Sequence, residues 1–214
     1  LSNDIVNEVT RDSRGRLWVA TNLGLNRYRP ETDDFERVLA TDGELPEDTI
    51  FEIAESPEGE LWLGTNTSGI VVYDPDTGDY RVIGHRADAP ESLSDNLVRS
   101  IVFDDRDNVW VGTNQGANRL DPDTGRITRY LHDADNPQSI SSNNVRVILE
   151  DRSGRLWIAT AGGGVNRYDY ATDTFEMIAT DDGLASHQVV AAIDDDRGAL
   201  WFPTNRGISV YEPE

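Results

Sequence analysis

The sequence has 214 residues, enough for one large domain, and contains no apolar run long enough to span a membrane and no signal peptide. Its formal net charge is −21, so nucleic acids and anionic membrane surfaces, which repel such a protein, are not expected partners. Cysteine is absent, which excludes disulfides, thiolate metal sites and cysteine nucleophiles.

Five copies of one pattern follow each other along the chain, and each contains a single tryptophan. These are Trp18, Trp62, Trp110, Trp157 and Trp201, at successive spacings of 44, 48, 47 and 44 residues. A period of about 45 fits either a four-stranded blade or a helical repeat. Short segments of strand character, bounded by Gly, Asp, Asn and Pro, favour the β alternative because no helical apolar period persists.

Each copy is predicted to contain its strands in a fixed order. The first strand covers Val6–Arg11, Ile50–Glu55, Val98–Phe103, Val145–Glu150 and Val189–Asp194. A hairpin rich in Asp, Ser and Gly then leads into the second strand, which carries the tryptophan. The third strand ends at Tyr28, Tyr73, Leu120, Tyr168 and Tyr211, and the fourth is marked by Phe35, Tyr80, Ile127 and Phe175.

The predicted fold class is all-β: a β-propeller of four-stranded antiparallel blades, with five blades in this chain, the last of which lacks its outer strand. A single domain or propeller fragment is expected over 1–214, with blades at approximately 1–43, 44–91, 92–138, 139–182 and 183–214. The five blades either close into a ring or belong to a larger propeller. Closure or self-association would cover the apolar faces of the terminal blades.

The repeated residues are predicted to have structural roles. The tryptophans are expected to pack between adjacent blades and not to form a sugar-stacking platform. Thr21, Thr65, Thr113, Thr160 and Thr204 each follow a tryptophan by three residues and are expected to make one recurring hydrogen bond. The two DPDTG segments, 74–78 and 121–125, are interpreted as turns and not as calcium loops. The run Gly162–Gly164 is interpreted as a bend between strands, not a phosphate loop.

Functional residues are expected where the copies differ, in the connections between blades and the bends between second and third strands. In a propeller these loops share one face, and loops on a rigid scaffold commonly carry binding residues. The predicted ligand-binding candidates on that face are Asn22, Asn66, His85, Arg86, Asn114, His132, Asp133, His187 and Arg206. The alternative for each of them is a solvated surface residue without a binding role. We predict no catalytic residues, no metal site and no cofactor.

The repeats resemble the two-component regulator propeller repeat of bacterial hybrid histidine kinases and related signalling proteins. The resemblance is clearest in NPQSISSNNVRVILEDRSGRLWIATAGGGVNRYD, residues 136–169, and in APESLSDNLVRSIVFDDRDNVWVGTNQGANRLD, residues 89–121. It implies a non-catalytic ligand-sensing or interaction propeller, periplasmic or extracellular, for which an oligosaccharide or another small molecule is the implied ligand.

Two other functions remain open. One is an engineered or fragmentary repeat scaffold that folds and assembles, with self-association as a possible means of completing a ring, without a ligand. The other is an enzyme similar to streptogramin lyase, whose blades have similar Trp and Asp-Gly turns. That enzyme would need a histidine-centred site with a metal.

The basic residues give one expectation about habitat. All 19 of them are arginine, and an acidic surface without lysine suits a protein that stays soluble in concentrated salt, where screening reduces self-repulsion. Arginine-biased codon usage combined with ordinary acidity would give the same composition.

Overall fold

The structure is a computed structural model that describes residues 1–38, 45, 49–195 and 197–212. Its strands are β1 (Val6–Arg11), β2 (Leu17–Thr21), β3 (Gly24–Arg29), β4 (Asp34–Arg37), β5 (Ile50–Glu55), β6 (Leu61–Thr65), β7 (Ile70–Tyr73), β8 (Tyr80–Ile83), β9 (Val98–Phe103), β10 (Val109–Thr113), β11 (Gly116–Leu120), β12 (Ile127–Tyr130), β13 (Val145–Glu150), β14 (Leu156–Thr160), β15 (Gly164–Asp169), β16 (Thr174–Ile178), β17 (Ile193–Asp194), β18 (Leu200–Thr204) and β19 (Gly207–Tyr211). The helical segment described is the single 3₁₀ turn Thr180–Asp182, and none of the described helices could cross a membrane.

The strands form five antiparallel sheets in which each strand pairs with its neighbours in sequence. Four sheets have four strands, and the last has three, β17-β18-β19. This confirms the predicted all-β propeller of five blades. The chain forms two compact units, 1–101 and 102–214. The predicted boundary between the first two blades, at 43 and 44, lies outside the described residues.

Tryptophan side chains fill the contacts between successive blades. In the first unit the buried Trp18 packs in one cluster with Leu61 and Leu63, the residues on either side of the next tryptophan. In the second unit Trp157 packs in the same way with Leu200 and Phe202. Each such indole removes a large apolar area from water, so this repeated contact is a major source of stability.

An aspartate six residues before the tryptophan holds the indole in place. Asp12, Asp104, Asp151 and Asp195 each accept a hydrogen bond on Oδ2 from the indole Nε1, at 2.8–2.9 Å. The other oxygen accepts backbone N–H groups of the hairpin, for example those of Ser153 and Arg155 on Asp151. One carboxylate therefore shapes the β13–β14 hairpin and orients the indole at once.

The folded protein favours the charged, deprotonated form of this aspartate. Burial raises the pKa of Asp151, but hydrogen bonds from Trp157 and Arg155 outweigh burial and hold the pKa below its ordinary value. Arg155 also forms an ion pair with Asp151, with Nε and Oδ2 2.7 Å apart. In the second blade Ser56 stands at this position, so the arrangement is not a requirement of every copy.

The predicted threonine contact is confirmed in all five blades. Each threonine Oγ1 donates to the carbonyl of the glycine that begins the third strand or directly precedes it, at 2.8–3.1 Å. The glycine is required by space as well: a Cβ on Gly164, whose φ is +77°, would lie 2.6 Å from the carbonyl oxygen of Ile178. The run Gly162–Gly164 is the bend between β14 and β15, as predicted.

Two predictions for the fifth blade are wrong. Its first strand is not Val189–Asp194 but only Ile193–Asp194, preceded by an isolated bridge from Val189 to Thr204. Pro203 in β18 has no N–H to donate, and its carbonyl accepts a hydrogen bond from Val190, so the ladder toward this strand is interrupted. Trp201, predicted to pack between blades, is 39% exposed.

The aspartate–indole hydrogen bond can be tested by comparing two blades. Asp151→Asn is expected to lower the free energy of unfolding by about 2–3 kcal/mol, because it removes a charged acceptor shared by a buried indole and several N–H groups. Asp195→Asn makes the same change beside the exposed Trp201 and should cost clearly less. Urea unfolding of both variants measures the difference. Equal losses would contradict the importance of the buried contact.

Candidate functional site

The first unit contains four of the predicted binding residues. Asn22 and Asn66 follow directly on the second strands of their blades and are half-buried. The Asn22 side-chain oxygen accepts a hydrogen bond from Asn7 at 3.0 Å, and the Asn66 N–H donates to the carbonyl of Thr49. His85 is also half-buried, whereas Arg86 is exposed.

His85 and Arg86 begin a connection between blades, residues 85–96, that is braced by its own side chains. The His85 ring Nδ1 lies 2.6 Å from the carbonyl oxygen of Leu93, and the His85 N–H donates to the side-chain oxygen of Asn96. The Arg86 N–H donates to Ser92 Oγ at 2.8 Å. Leu93 is fully buried, so the connection is anchored in the core while its middle stays in solvent.

Residues 132–143 of the second unit repeat this arrangement bond for bond. The His132 ring Nδ1 lies 2.9 Å from the carbonyl oxygen of Ile140, and the His132 N–H donates to Asn143. The Asp133 N–H donates to Ser139 Oγ, again at 2.9 Å. Ile140 is fully buried, as Leu93 is. The two histidines therefore close their own connections through Nδ1.

The other candidates of the second unit lie in three different segments. Asn114 is half-buried after β10, and Arg206 is exposed in the bend before β19, where its N–H donates to Thr204 Oγ1. His187 is half-buried, and its carbonyl oxygen accepts hydrogen bonds from Gly162 and Gly164. His187 Nε2 lies 3.4 Å from Thr180 Oγ1. Within this unit the structure confirms that these residues belong to connections and bends; ligand binding by them stays a prediction.

Buried asparagines on the third strand were not predicted, although they help to hold the connections. Asn166 accepts the Ser141 N–H at 2.9 Å and donates to Ser141 Oγ at 2.8 Å. In the first unit Asn26 makes the same pair of contacts with Ser2. An Asn eight or nine residues after the tryptophan, paired with a Ser in the connection, was the available sequence signal.

Two carboxylates on first strands of the first unit form a second unpredicted feature. Glu8 accepts the Ile53 N–H, and Glu52 accepts the Ile101 N–H, so each reaches the first strand of the next blade. Burial raises the pKa of Glu8 to about 7. Burial, together with the neighbouring Glu8 charge, raises the pKa of Glu52 to about 8. Near neutral pH this pair therefore titrates.

Each unit also has an arginine-rich cleft beside the hairpins that join first and second strands; in the second unit Pro137 and Gln138 of the connection 132–143 also line it. The cleft of the first unit measures about 470 Å³ and contains Arg14, Arg16 and Arg29; that of the second measures about 910 Å³ and contains Arg155 and Arg167. These five arginines form ion pairs with nearby carboxylates, such as Arg14 with Asp76 and Arg167 with Glu176. Their charges are therefore compensated within the protein.

Acidic side chains in the turns also bind neighbouring groups of the protein. In the first DPDTG segment Asp74 Oδ1 accepts the N–H groups of Asp76 and Thr77, which confirms a turn. In the second, Asp121 Oδ1 accepts those of Asp123 and Thr124. Among the described residues, no group of three or more His, Asp or Glu side chains is placed to hold a metal ion.

Four of the five copies match one known family model. A family model described as "Two component regulator propeller" matches residues 1–23, 44–67, 92–115 and 139–162. A curated relative, histidine kinase P4 of Formosa agariphila, is 29% identical over 166 residues, which are 77% of this chain and 12% of the relative. The chain thus spans about an eighth of that relative's length.

Solved structures show the same fold. The extracellular domain attributed to a one-component system of B. thetaiotaomicron superposes with a TM-score of 0.78 at 23% identity, over 96% of this chain and 27% of that chain. A streptogramin B lyase superposes with a TM-score of 0.68 at 17% identity, over 99% of this chain and 70% of that chain. At these identities the likeness concerns the fold alone.

The Glu8–Glu52 pair predicts a stability that falls with rising pH. Between about pH 5 and pH 8 the folded protein holds protons that the unfolded chain has already released, so the free energy of unfolding decreases, by an amount on the order of 2–4 kcal/mol. Glu52→Gln should flatten this slope when Tm is measured at each pH. The exposed Glu91→Gln is the control. A slope unchanged by Glu52→Gln would contradict the prediction.

Proposed function

We propose that this chain, four of whose repeats match the two-component regulator propeller model, is a non-catalytic propeller that senses a ligand or binds a partner. The observation that carries the proposal is the duplicated connection of residues 85–96 and 132–143. Both have the same internal hydrogen bonds and the same buried aliphatic anchor. Loops that a scaffold holds rigid, with polar groups displayed to solvent, are the usual location of binding residues.

The two connections share the same internal hydrogen bonds, which we call the frame, but they differ in the exposed side chains between the bonded residues. Arg86 stands where the other connection has Asp133, and Glu91 stands where it has Gln138; all four are exposed. The framing residues hydrogen-bond inside the loop, whereas these four residues are exposed, although the Asp133 carboxylate also accepts the Asp135 N–H. Two connections with the same internal bonds and different exposed side chains favour a role in recognition over a purely structural role.

We propose an oligosaccharide as the ligand. The candidates supply amide, guanidinium, imidazole and carboxylate groups, which hydrogen-bond the hydroxyl groups of a sugar in paired fashion. Part of the proposal is that the protein works outside the cytoplasm. Its support is the likeness to the extracellular domain from B. thetaiotaomicron, together with the match to a repeat described from regulators.

The enzymatic alternative needs a histidine free to act as acid or base beside a metal. His85 and His132 each engage ring Nδ1 with a carbonyl oxygen of their own connection. Their positions in duplicated frames give both the same local role, whereas a catalytic histidine would be expected to differ from its counterpart. The scaffold alternative, folding without any ligand, is separated from sensing by a binding experiment.

The binding experiment is a thermal-shift screen with a panel of neutral and acidic oligosaccharides. A ligand at one hundred times its Kd should stabilise the protein by about 2.7 kcal/mol and so raise Tm by several degrees. Arg86→Ala and Arg206→Ala should reduce the shift. Both side chains are exposed, so the variants should keep the Tm of the free protein.

Arg126→Ala is the matched control, because Arg126 is an exposed arginine in the turn between β11 and β12, at the opposite end of the strands. It should leave the ligand-induced shift unchanged. If no oligosaccharide raises Tm, the proposed ligand is wrong, and the result supports the alternative of a scaffold that folds without a ligand. If the shift survives Arg86→Ala and Arg206→Ala but not Arg126→Ala, the ligand binds at the other end of the blades.

A further inference from the structure

Opposite charges face each other across the third and fourth strands of two blades. In the first blade Arg27 and Glu36 are in register, and their side chains form an ion pair of 2.5 Å. In the fourth blade Arg167 and Glu176 repeat this contact at the same distance. Such cross-strand pairs stabilise a sheet and compensate the charge of the arginine within the blade.

The third blade has the arginine but not the glutamate. Arg119 is in register with Thr128, whose shorter side chain carries no charge. The Arg119 Nη1 atom donates to the Tyr168 hydroxyl at 2.6 Å and lies 3.4 Å from Asp173 Oδ1. Both contacts use Nη1, so the N–H groups on Nε and Nη2 have no hydrogen-bond partner in the part of the chain that the structure describes. The guanidinium therefore retains donors for a ligand.

A cavity of about 310 Å³ lies beside Arg119, between the third and fourth blades. Its lining residues all belong to the unit 102–214 and are Asn108, Arg119, Asp121, Arg126, Thr128 and Asp173. Small-molecule sites usually measure about 300–1,000 Å³, so this cavity suits a small ligand. At about 30 Å³ for each water molecule of the liquid, it has the volume of about ten waters.

One side of the cavity is cationic. Arg126 stands where the first and second blades have Asp34 and Asp79, at the beginning of the outer strand. Arg126 is exposed, and its guanidinium forms no ion pair with the residues that the structure describes. The Thr128 hydroxyl likewise has no hydrogen-bond partner among them. Together with Arg119, these groups provide donors for one anionic group, and guanidinium groups match a carboxylate in geometry as well as in charge.

The other side of the cavity provides acceptors. Asp173 Oδ1 accepts the hydroxyl groups of Tyr130 and Tyr168, whereas Oδ2 has no hydrogen-bond partner within the described ranges. Burial raises the pKa of Asp173, but the two hydroxyl groups and the Arg119 charge outweigh burial and hold the pKa below its ordinary value, so the carboxylate is charged at neutral pH. The Asn108 side chain bonds through Nδ2, which leaves its oxygen without a partner in the described structure.

We propose that this cavity binds a small zwitterion, and that its ligand is a free α-amino acid. The ligand carboxylate accepts hydrogen bonds from Arg119 and Arg126, and the ligand ammonium donates to Asp173 Oδ2 and to the Asn108 oxygen. The charges of the lining favour a ligand that carries both signs. Two arginines are accompanied by two aspartates, Asp121 and Asp173, so a simple anion or a simple cation would be repelled by part of the lining.

The cavity is separate from the face proposed to bind an oligosaccharide. Asn108 lies in the hairpin between β9 and β10, and Arg126 lies in the turn between β11 and β12. Both are at the end of the strands opposite the connections and the bends between second and third strands. An amino acid at this end therefore does not compete with an oligosaccharide, and either proposal can fail while the other stands.

Isothermal titration calorimetry of the full 214-residue chain tests the ligand class. Alanine, serine, glutamine and glutamate are titrated as free amino acids, with acetate and ethylamine as analogues that carry one charge each. At least one amino acid should bind, and each analogue should bind at least about tenfold more weakly, because it forms only one of the two charged contacts. Binding of none of the four amino acids would overturn the proposal. Acetate or ethylamine binding as tightly as the amino acid would overturn the zwitterion as the ligand class.

Two variants locate the site. Thr128→Glu restores the pair that the first and fourth blades contain, so it should fold, and its carboxylate should engage Arg119 and weaken amino-acid binding by at least about tenfold. Arg126→Ala removes an exposed side chain and should also weaken binding. Arg197→Ala changes an exposed arginine in the hairpin before β18 and is the matched control, which should bind as the unmodified chain does. Unchanged affinity in either of the first two variants, or an equal loss in the control, would overturn the assignment.

Discussion

In four of the five blades, a hydrogen bond from the tryptophan indole to the aspartate six residues before it joins the hairpin to the packing between blades. The aspartate is a hairpin residue, and its carboxylate is directed by the N–H groups of the turn, so the turn must form for the acceptor to be in place. The indole then packs against the next blade, as Trp157 does against Leu200 and Phe202. A local structure of about seven residues thereby determines how whole sheets stack.

The regularity of that contact explains why the fold was predictable. Strand order, hairpins and threonine contacts repeat with the tryptophan, so every copy supports the interpretation of the others. Prediction failed where one copy departs from the pattern. Pro203 has no backbone N–H, so β18 offers one hydrogen-bond donor fewer to its neighbours. Which neighbouring strand loses a hydrogen bond depends on the direction in which that N–H would have pointed. Ala191 and Ala192, weak strand formers, occupy the lost part of the strand.

The candidate site could be predicted only as a location. Connections and bends were identifiable from the breaks in the repeat. The roles of His85 and His132 were not, because the ring Nδ1 of each lies within hydrogen-bond distance of a backbone carbonyl whose position the sequence does not reveal. The Glu8–Glu52 pair escaped prediction for a related reason. Among 40 acidic residues, these two carboxylates have burial that outweighs their hydrogen bonds, whereas the buried Asp12, Asp104 and Asp151 accept enough hydrogen bonds to keep their pKa values low. Which carboxylates lose water in this way follows from the stacking of blades.

The duplicated connections separate two kinds of residue that usually overlap. Histidine, serine, asparagine and one buried aliphatic residue build the frame, at 85, 92, 96 and 93 in one copy and at 132, 139, 143 and 140 in the other. Arg86 and Asp133, which lie between them, contribute only backbone groups to these framing bonds. A lineage can therefore change what a blade displays, one position at a time, at little cost to folding. Each connection thus combines a fixed set of internal bonds with replaceable exposed positions. The side chains that such a propeller displays can therefore change without a change of architecture.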